Sequence, residues 1–326
     1  MKLQKEYIIL TAVICILVLV LIVSSGKNKM SYNLPKLDKI ESDSISQFEI
    51  NHKEKSILIK RSQNDWLIMP QQYKADSDKI NGMLEVIRDL TLTELVSDKK
   101  NYSRYELDEE NRIQVKAFSH GEIIREFYIG KASPTYSHTY IRMADRPSVF
   151  HARDSFRSTF EQDISGLRDK SVMEFNKEEI TGLILKGEFG KLEFQKEIRQ
   201  IESDKKEQKG EEEKGINPPG NEETWLTKDG QEAKADEINS LLSKLSSLNC
   251  DSYMDEKEKE NLKNPVYTII AKGTKDYKLS IYENREEEDE YPALSSENDY
   301  PFRLTKWITE SLMKMPEDIL KEPTEG

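Results

Sequence analysis

The sequence predicts an α+β protein: an N-terminal transmembrane helix followed by two tandem β-β-α-β-β-β-α repeats with antiparallel sheets. Three observations lead there. A charge-free apolar run opens the chain. A Trp-strand followed by one helical face occurs twice. Hairpin-rich strand runs surround each helix, in place of the strand–helix alternation of a parallel sheet. Composition sets the outer bounds. The chain has 326 residues, of which 34% are charged and 36% hydrophobic, so only one stretch is apolar enough to span a bilayer. With 14 Gly, 11 Pro and 2 Cys, collagen-like and disulfide-scaffold classes are excluded. The formal charge of -12 argues against nucleic acid as a partner, because phosphates call for a basic footprint.

The first element is Tyr7 to Val23, YIILTAVICILVLVLIV, whose only polar side chains are Tyr7 and Thr11. At 1.5 Å per residue it reaches about 25 Å, the short end of a membrane-spanning helix. Lys2 and Lys5 on one side and Lys27 and Lys29 on the other leave the positive-inside count near a tie. Chain order decides instead: a short tail, Met1 to Glu6, stays cytoplasmic and the long body is extracytoplasmic in the cell membrane. A cleaved signal peptide is the competing reading, with Val23-x-Ser25 as its cleavage pattern. A lipoprotein signal at Cys15 fits less well, since Ile14 precedes it and apolar residues continue beyond it. The chain is therefore divided into a signal-anchor (1–26), a stalk (27–37), a first repeat (38–174), a second repeat (175–320) and a tail (321–326).

The repeat rests on named residues. The first copy holds Asp65-Trp66-Leu67, Lys74-Ala75-Asp76, then Ile80, Met83, Leu84, Ile87 and Leu90. The second holds Thr224-Trp225-Leu226, Lys234-Ala235-Asp236, then Ile238, Leu241, Leu242, Leu245 and Leu248. Each apolar set lines one face of a helix of about three turns. Asp76 and Asp236 are placed to cap those helices. Trp66, Asp76, Trp225 and Asp236 are thus a structural signature. Strands are expected near 47–50, 56–60, 113–118, 125–129, 140–143 and 148–151 in the first copy. In the second they fall near 181–185, 191–195, 266–271, 278–282 and 300–304. Closing helices are expected near 153–162 and 305–314. Gly187 and Gly190 make a hairpin turn, and Cys250 is a small core residue. In the second copy 196–223 intervene before the Trp, almost all Glu, Lys, Gln, Gly and Pro, and predict a disordered hairpin tip.

Chemistry is sparse. His52, His120, His138 and His151 form no H-x-H or H-E-x-x-H, and no Cys pair joins them, so no metal or cofactor site and no catalytic residue is assigned. His52, His120 and His138 read as solvated. Glu286 to Glu290 lacks the ligand spacing of a calcium loop and reads as a solvated connection. Tyr102, Tyr105, Tyr136 and Tyr140 are candidates for the floor of a cleft, against a plainer reading as half-buried strand and loop residues. Arg168-Asp169-Lys170 reads as an ion-paired hinge between the copies.

The order of short motifs resembles one family. Trp66-Leu67-Ile68-Met69-Pro70, the Ala75-Asp76 helix, Tyr105-Glu106-Leu107-Asp108, Ile129-Gly130, Tyr140-Ile141-Arg142 and Leu167-Arg168-Asp169-Lys170 follow a single-pass N-terminal segment. This is similar to the bacterial domain-of-unknown-function 4340 family, over nearly the whole chain. Glu106 stands where Gly is common, and no Pro follows Asp108. The resemblance implies genes beside gliding-motility-type ABC transporters, and so a role alongside ABC transporter subunits. It carries no catalytic residues. The expectation is a non-catalytic, membrane-tethered extracytoplasmic accessory or binding module. A module binding a ligand or a cell-envelope polymer is the alternative, and an envelope hydrolase the weakest.

Overall fold

Residues 47–62 alternate apolar and polar side chains, and the chain turns them into a hairpin. β1 (Gln47–His52) pairs antiparallel with β2 (Lys55–Ser62), burying Phe48, Ile50, Ile57 and Ile59 on one face. A computed structural model describes Tyr7, Leu10 and residues 13–20, 34–200, 221–284 and 289–322. The chain divides into two compact units, Met1–Arg168 and Asp169–Gly326.

In the first unit β3 (Asp65–Met69) and β4 (Tyr73–Lys74) extend the hairpin, and α1 (Ser77–Asp89) follows. β5 (Leu92–Ser97), β6 (Ile113–Ser119), β7 (Glu122–Ala132), β8 (His138–Met143) and β9 (Val149–Arg153) complete a nine-stranded sheet in the order β4-β3-β2-β1-β6-β7-β8-β9-β5. Ile80, Met83, Leu84 and Ile87 of α1 are buried in one cluster with Phe48, Val115, Phe127, Ile141 and Phe150 of the strands. Each such side chain contributes roughly 1.5–3 kcal/mol of burial. Asp76 caps α1, accepting from the backbone N–H of Asp78 and Lys79 at 3.0 and 3.1 Å. Two short helices, α2 (Arg157–Phe160) and α3 (Ile164–Leu167), close the unit in place of the single helix expected over 153–162. Residues 149–153 pair with β8, which keeps Arg153 in the sheet and delays the helix.

In the second unit β10 (Ser171–Glu174) pairs with β14 (Ser247–Asn249). That pairing moves residues 169–174 out of the first body, where the sequence placed them. The main sheet takes β11 (Gly182–Gly187), β12 (Gly190–Gln200), β13 (Asn221–Thr227), β15 (Ser252–Tyr253), β16 (Tyr267–Lys272), β17 (Asp276–Ile281), β18 (Glu290–Ser295) and β19 (Asn298–Thr305). Its order is β13-β12-β11-β16-β17-β18-β19-β15. α4 (Ala235–Leu245) buries Ile238, Leu241, Leu242 and Leu245; α5 (Lys306–Leu312) and α6 (Pro316–Ile319) finish the fold.

The architecture is α+β with antiparallel pairing, and several expectations are corrected. Each Trp sits on its own strand beyond the first hairpin, Trp66 on β3 and Trp225 on β13, so the β-β-α opening becomes β1 to β4 and then α1 in the first unit, and β11 to β13 and then α4 in the second. β5, β14, β15 and β18 are further strands that periodicity did not single out. Asp236 does not cap α4: Lys234 holds the cap position and Asp236 lies in the first turn. Only one residue separates Asp236 from the first buried isoleucine, Ile238, against three between Asp76 and Ile80, so the first turn absorbs it. There its carboxylate still favours the positive helix end. The insert is shorter than expected, because Lys196 to Gln200 pair with Asn221 to Trp225; the remainder, 201–220, lies outside the described residues. The stalk is shorter too, since Leu34 and Leu37 pack on the first core, while 27–33 lie outside the described residues. So do residues 8, 9, 11, 12 and 21–23 of the Tyr7 to Val23 segment; Tyr7, Leu10 and 13–20 are helical and exposed. Among the described residues no helix is long and apolar enough to cross a membrane.

Candidate functional site

Alternation decides which side chains the first sheet leaves open. Ile113, Val115, Phe127, Ile129 and Ile141 enter the core with α1. Their neighbours Gln114, Tyr128, Tyr140 and Arg142 therefore stand on the opposite face. Backbone register places Asn51, Gln114, Tyr128 and Arg142 side by side across β1, β6, β7 and β8. Gln114 donates to Glu126 Oε1 at 2.6 Å, Tyr128 OH donates to the same oxygen at 3.3 Å, and Asn51 donates to Glu49 at 2.8 Å. The carboxylates of this row are thus already engaged.

One segment crosses that face. A 3₁₀ turn, Tyr102–Tyr105, runs on to Leu107, and Tyr105 and Leu107 are buried with Val149. Gly130 makes this possible: a Cβ there would lie 2.2 Å from the Tyr105 carbonyl oxygen. Glu106 adopts φ 54°, the left-handed region that Gly enters without penalty. The Y-x-L-D, I-G and Tyr140 motifs, dispersed in sequence, therefore meet in one place.

Arg142 lies between two rings, its Cζ 4.1 Å from the centroid of Tyr128 and 5.1 Å from that of Tyr102. Arg112 approaches Tyr128 as well, at 4.5 Å. Farther along, His151 stacks on His138 at 5.3 Å and meets Tyr140 in a tilted contact at 4.6 Å, with Nδ1 3.3 Å from Glu94. Of the four candidate tyrosines, Tyr102, Tyr105 and Tyr140 join this face, while Tyr136 is 76% exposed on a turn.

Two of the histidine environments differ from the expectation. His138 and His52 are half-buried, not solvated; His120 is exposed. Burial, and then the nearby Arg157 charge, hold the His52 imidazole below its ordinary pKa. Ser119–His120 and Ser137–His138 are sequence neighbours in contact at 3.1 and 3.0 Å. Neither imidazole has a carboxylate partner among the described residues. No group of three His, Cys, Asp or Glu is placed to hold a metal among them either. Trp66 and Trp225 are core residues, 7% and 1% exposed, and Cys250 is buried. Arg168 stacks on Tyr73 at 3.9 Å, Asp169 accepts from the Ser171 N–H, and Lys170 donates to the Asp251 carbonyl. Of the acidic run at 286–290, residues 286–288 lie outside the described residues and Glu290 pairs with Arg303 at 3.9 Å.

The second unit has a separate cavity of about 430 Å³, lined by Leu262, Asn264, Tyr282, Glu283, Pro292 and Arg303 among others. On its sheet Glu193 contacts Lys191, Lys272 and Lys228 at 2.7, 3.2 and 3.1 Å, and these lysines hold its carboxyl at about 2.

Tyr140-Ile141-Arg142 is visible in the sequence as a motif, whereas Arg112, Gln114, Glu126 and Tyr128 carry no such mark. The usable signal was period two: Tyr140 and Arg142 flank a core isoleucine and share a face.

A family model, domain of unknown function (DUF4340), matches residues 66–265, which contain every one of these motif residues. No curated protein and no solved structure matches the chain.

Proposed function

Because the chain belongs to the DUF4340 family, whose description assigns no activity, we propose a function from its own geometry. It is a non-catalytic accessory module, tethered to the cell membrane by Tyr7 to Val23 with its body extracytoplasmic, that binds a protein partner such as an ABC transporter subunit. The observation that carries the binding role is the open face of the first sheet. Its central residues are Tyr102, Tyr128, Tyr140, Arg112 and Arg142, the side-chain types that dominate interface energetics. The charge-free apolar run supports the tether. Crosslinking in intact membranes, followed by identification of partners held by the full chain, tests the reading. Recovery of the full chain in the soluble fraction, with no membrane-protein crosslink, refutes it.

The two bodies are also proposed to be copies of one unit. Strand order supports this: β3-β2-β1-β6-β7-β8-β9-β5 runs parallel to β13-β12-β11-β16-β17-β18-β19-β15. Local bonds support a particular register. The Ala75 N–H donates to the Trp66 carbonyl and the Ala233 N–H to the Trp225 carbonyl, both at 2.8 Å. The cap residues follow, Asp76 donating to the Leu167 carbonyl and Lys234 to the Ile319 carbonyl. On this register Lys234, not Asp236, answers Asp76, and the matching Lys-Ala-Asp triplets are two residues out of step.

A second reading, binding of a ligand or cell-envelope polymer, is favoured by the cavity beside Tyr282 and Arg303 in the second unit.

A further inference from the structure

We propose that the Arg142 guanidinium, with Arg112 over the same Tyr128 ring, is the recognition point for a carboxylate side chain of a protein partner. This rests on the binding-module reading and names the chemistry the partner must bring. The observation is a cation without an anion. The Arg142 side chain makes no hydrogen bond and no ion pair among the described residues; its cation–ring contacts are with Tyr128 and Tyr102. Its Nε is enclosed without an acceptor, which leaves the Nη nitrogens as the available donors. Other part-buried arginines of this unit differ. Arg125 donates to the carbonyls of Ile87, Arg88 and Asp38, and Arg157 donates to the carbonyls of Asn111 and Ile129 and pairs with Glu161 at 3.4 Å. A desolvated charge left unpaired is costly, so a half-buried guanidinium held in place by aromatic stacking is preorganised for an external anion.

Among the described residues no carboxylate pairs with Arg142. Glu126 is held by Gln114 and Tyr128, and Glu94 lies against His151. Asp145 pairs with Arg146 at 3.2 Å. Glu109 reaches Arg112 at 3.7 Å but is 89% exposed, a loose contact that a partner carboxylate can displace. Arg142 cannot turn inward, because Ile141 and Met143 on either side fill the core.

A carboxylate suits the site better than a polyanion. The planar fork of a guanidinium matches a planar carboxylate. The net charge of -12, with Glu49, Glu94 and Glu126 on the same face, disfavours a membrane surface or polyphosphate. The tyrosines around the cation supply the rigid, low-entropy contact area typical of protein recognition.

The test uses the full chain in detergent with ¹⁵N-labelled arginine. The probes are a capped Glu-Glu-Glu peptide, inorganic phosphate and phosphatidylglycerol vesicles. A saturable shift of the Arg142 side-chain resonances with the peptide is expected. It should weaken about thirtyfold in Arg142→Gln, and clearly in Arg142→Lys, which keeps the charge but not the fork. Melting curves of both variants establish that the fold is intact. A response to phosphate or vesicles alone overturns the carboxylate assignment, and no response to any probe overturns the site. The two readings fail separately. A membrane partner that binds Arg142→Gln as well as wild type retains the accessory role and removes this site. A peptide response with no membrane partner does the reverse.

Discussion

Trp225 is 1% exposed, sits on β13, and belongs to the cluster that contains Ile238, Leu241 and Leu242 of α4. Replacing it with Ala removes the largest fully buried side chain of the protein and leaves a cavity. A buried Trp→Ala change costs about 3–5 kcal/mol. For a unit of this size each kcal/mol lowers the melting temperature by about 2–4 °C, so a fall of roughly 10 °C is expected. Trp66 is 7% exposed, with Phe48 at 5.6 Å and the Arg61 guanidinium at 5.3 Å. Its loss should cost a comparable amount. Trp307, 75% exposed, is the control and should move stability by less than about 0.5 kcal/mol when truncated. Trp225→Phe separates shape from polarity. The Trp225 Nε1–H is enclosed without an acceptor, a state that costs about 1–3 kcal/mol by itself. Phenylalanine removes that donor while keeping a ring, so the Phe variant should melt much closer to wild type than the Ala variant. Calorimetry on the four variants checks this. A Trp225→Ala protein that melts within two degrees of wild type would refute the packing account.

Three further outcomes are expected. Asp76→Ala should cost about 1 kcal/mol by denaturant titration, whereas Asp236→Ala should cost a few tenths, since only Asp76 bonds free N–H groups of its helix. Gly130→Ala should displace the Tyr102–Leu107 segment, read as chemical-shift changes at Tyr105 and Tyr140 larger than those at Trp225; unchanged shifts at Tyr105 would contradict the close approach. Glu193 has its carboxyl depressed from 4.5 to about 2, so its lysine contacts stabilise fully above pH 4.5 and are lost as pH falls towards 2. Glu193→Gln should flatten the acid limb of the stability curve in that window, and more at low salt than at high salt.

Period and composition made much of the fold readable. The helical faces of α1 and α4, the hairpins of β1–β2 and β11–β12, and the buried tryptophans all follow from patterns within a few residues. What escaped was set by partners distant in sequence. β5, Leu-Thr-Glu-Leu-Val-Ser, has no regular apolar–polar alternation and becomes a strand because β9 pairs with it. Ile198 and Arg199 sit in a charge-rich run and become strand because Glu222 and Glu223 pair with them. The cap of α4 was misread because identical triplets outweighed the distance to the first core isoleucine. The candidate site was half legible: its motifs are visible in the sequence, but their convergence on Gly130 depends on a close approach that no spacing encodes.

The grip on Asp38 has a mechanical consequence. Arg125, rooted in β7, holds the Asp38 carbonyl and the last carbonyls of α1 together, while Leu34, Leu37 and Ile40 lie on the core. If Val23 ends a membrane anchor, the ten residues 24–33 separate it from the first core contact at Leu34, a span of at most about 35 Å. A pull on the body would then load the Arg125–Asp38 bond together with the packing of Leu34, Leu37 and Ile40. The first unit would work as a rigid fixture held near the bilayer, and its Tyr128–Arg142 face could sweep only the layer of partners that stand within that radius.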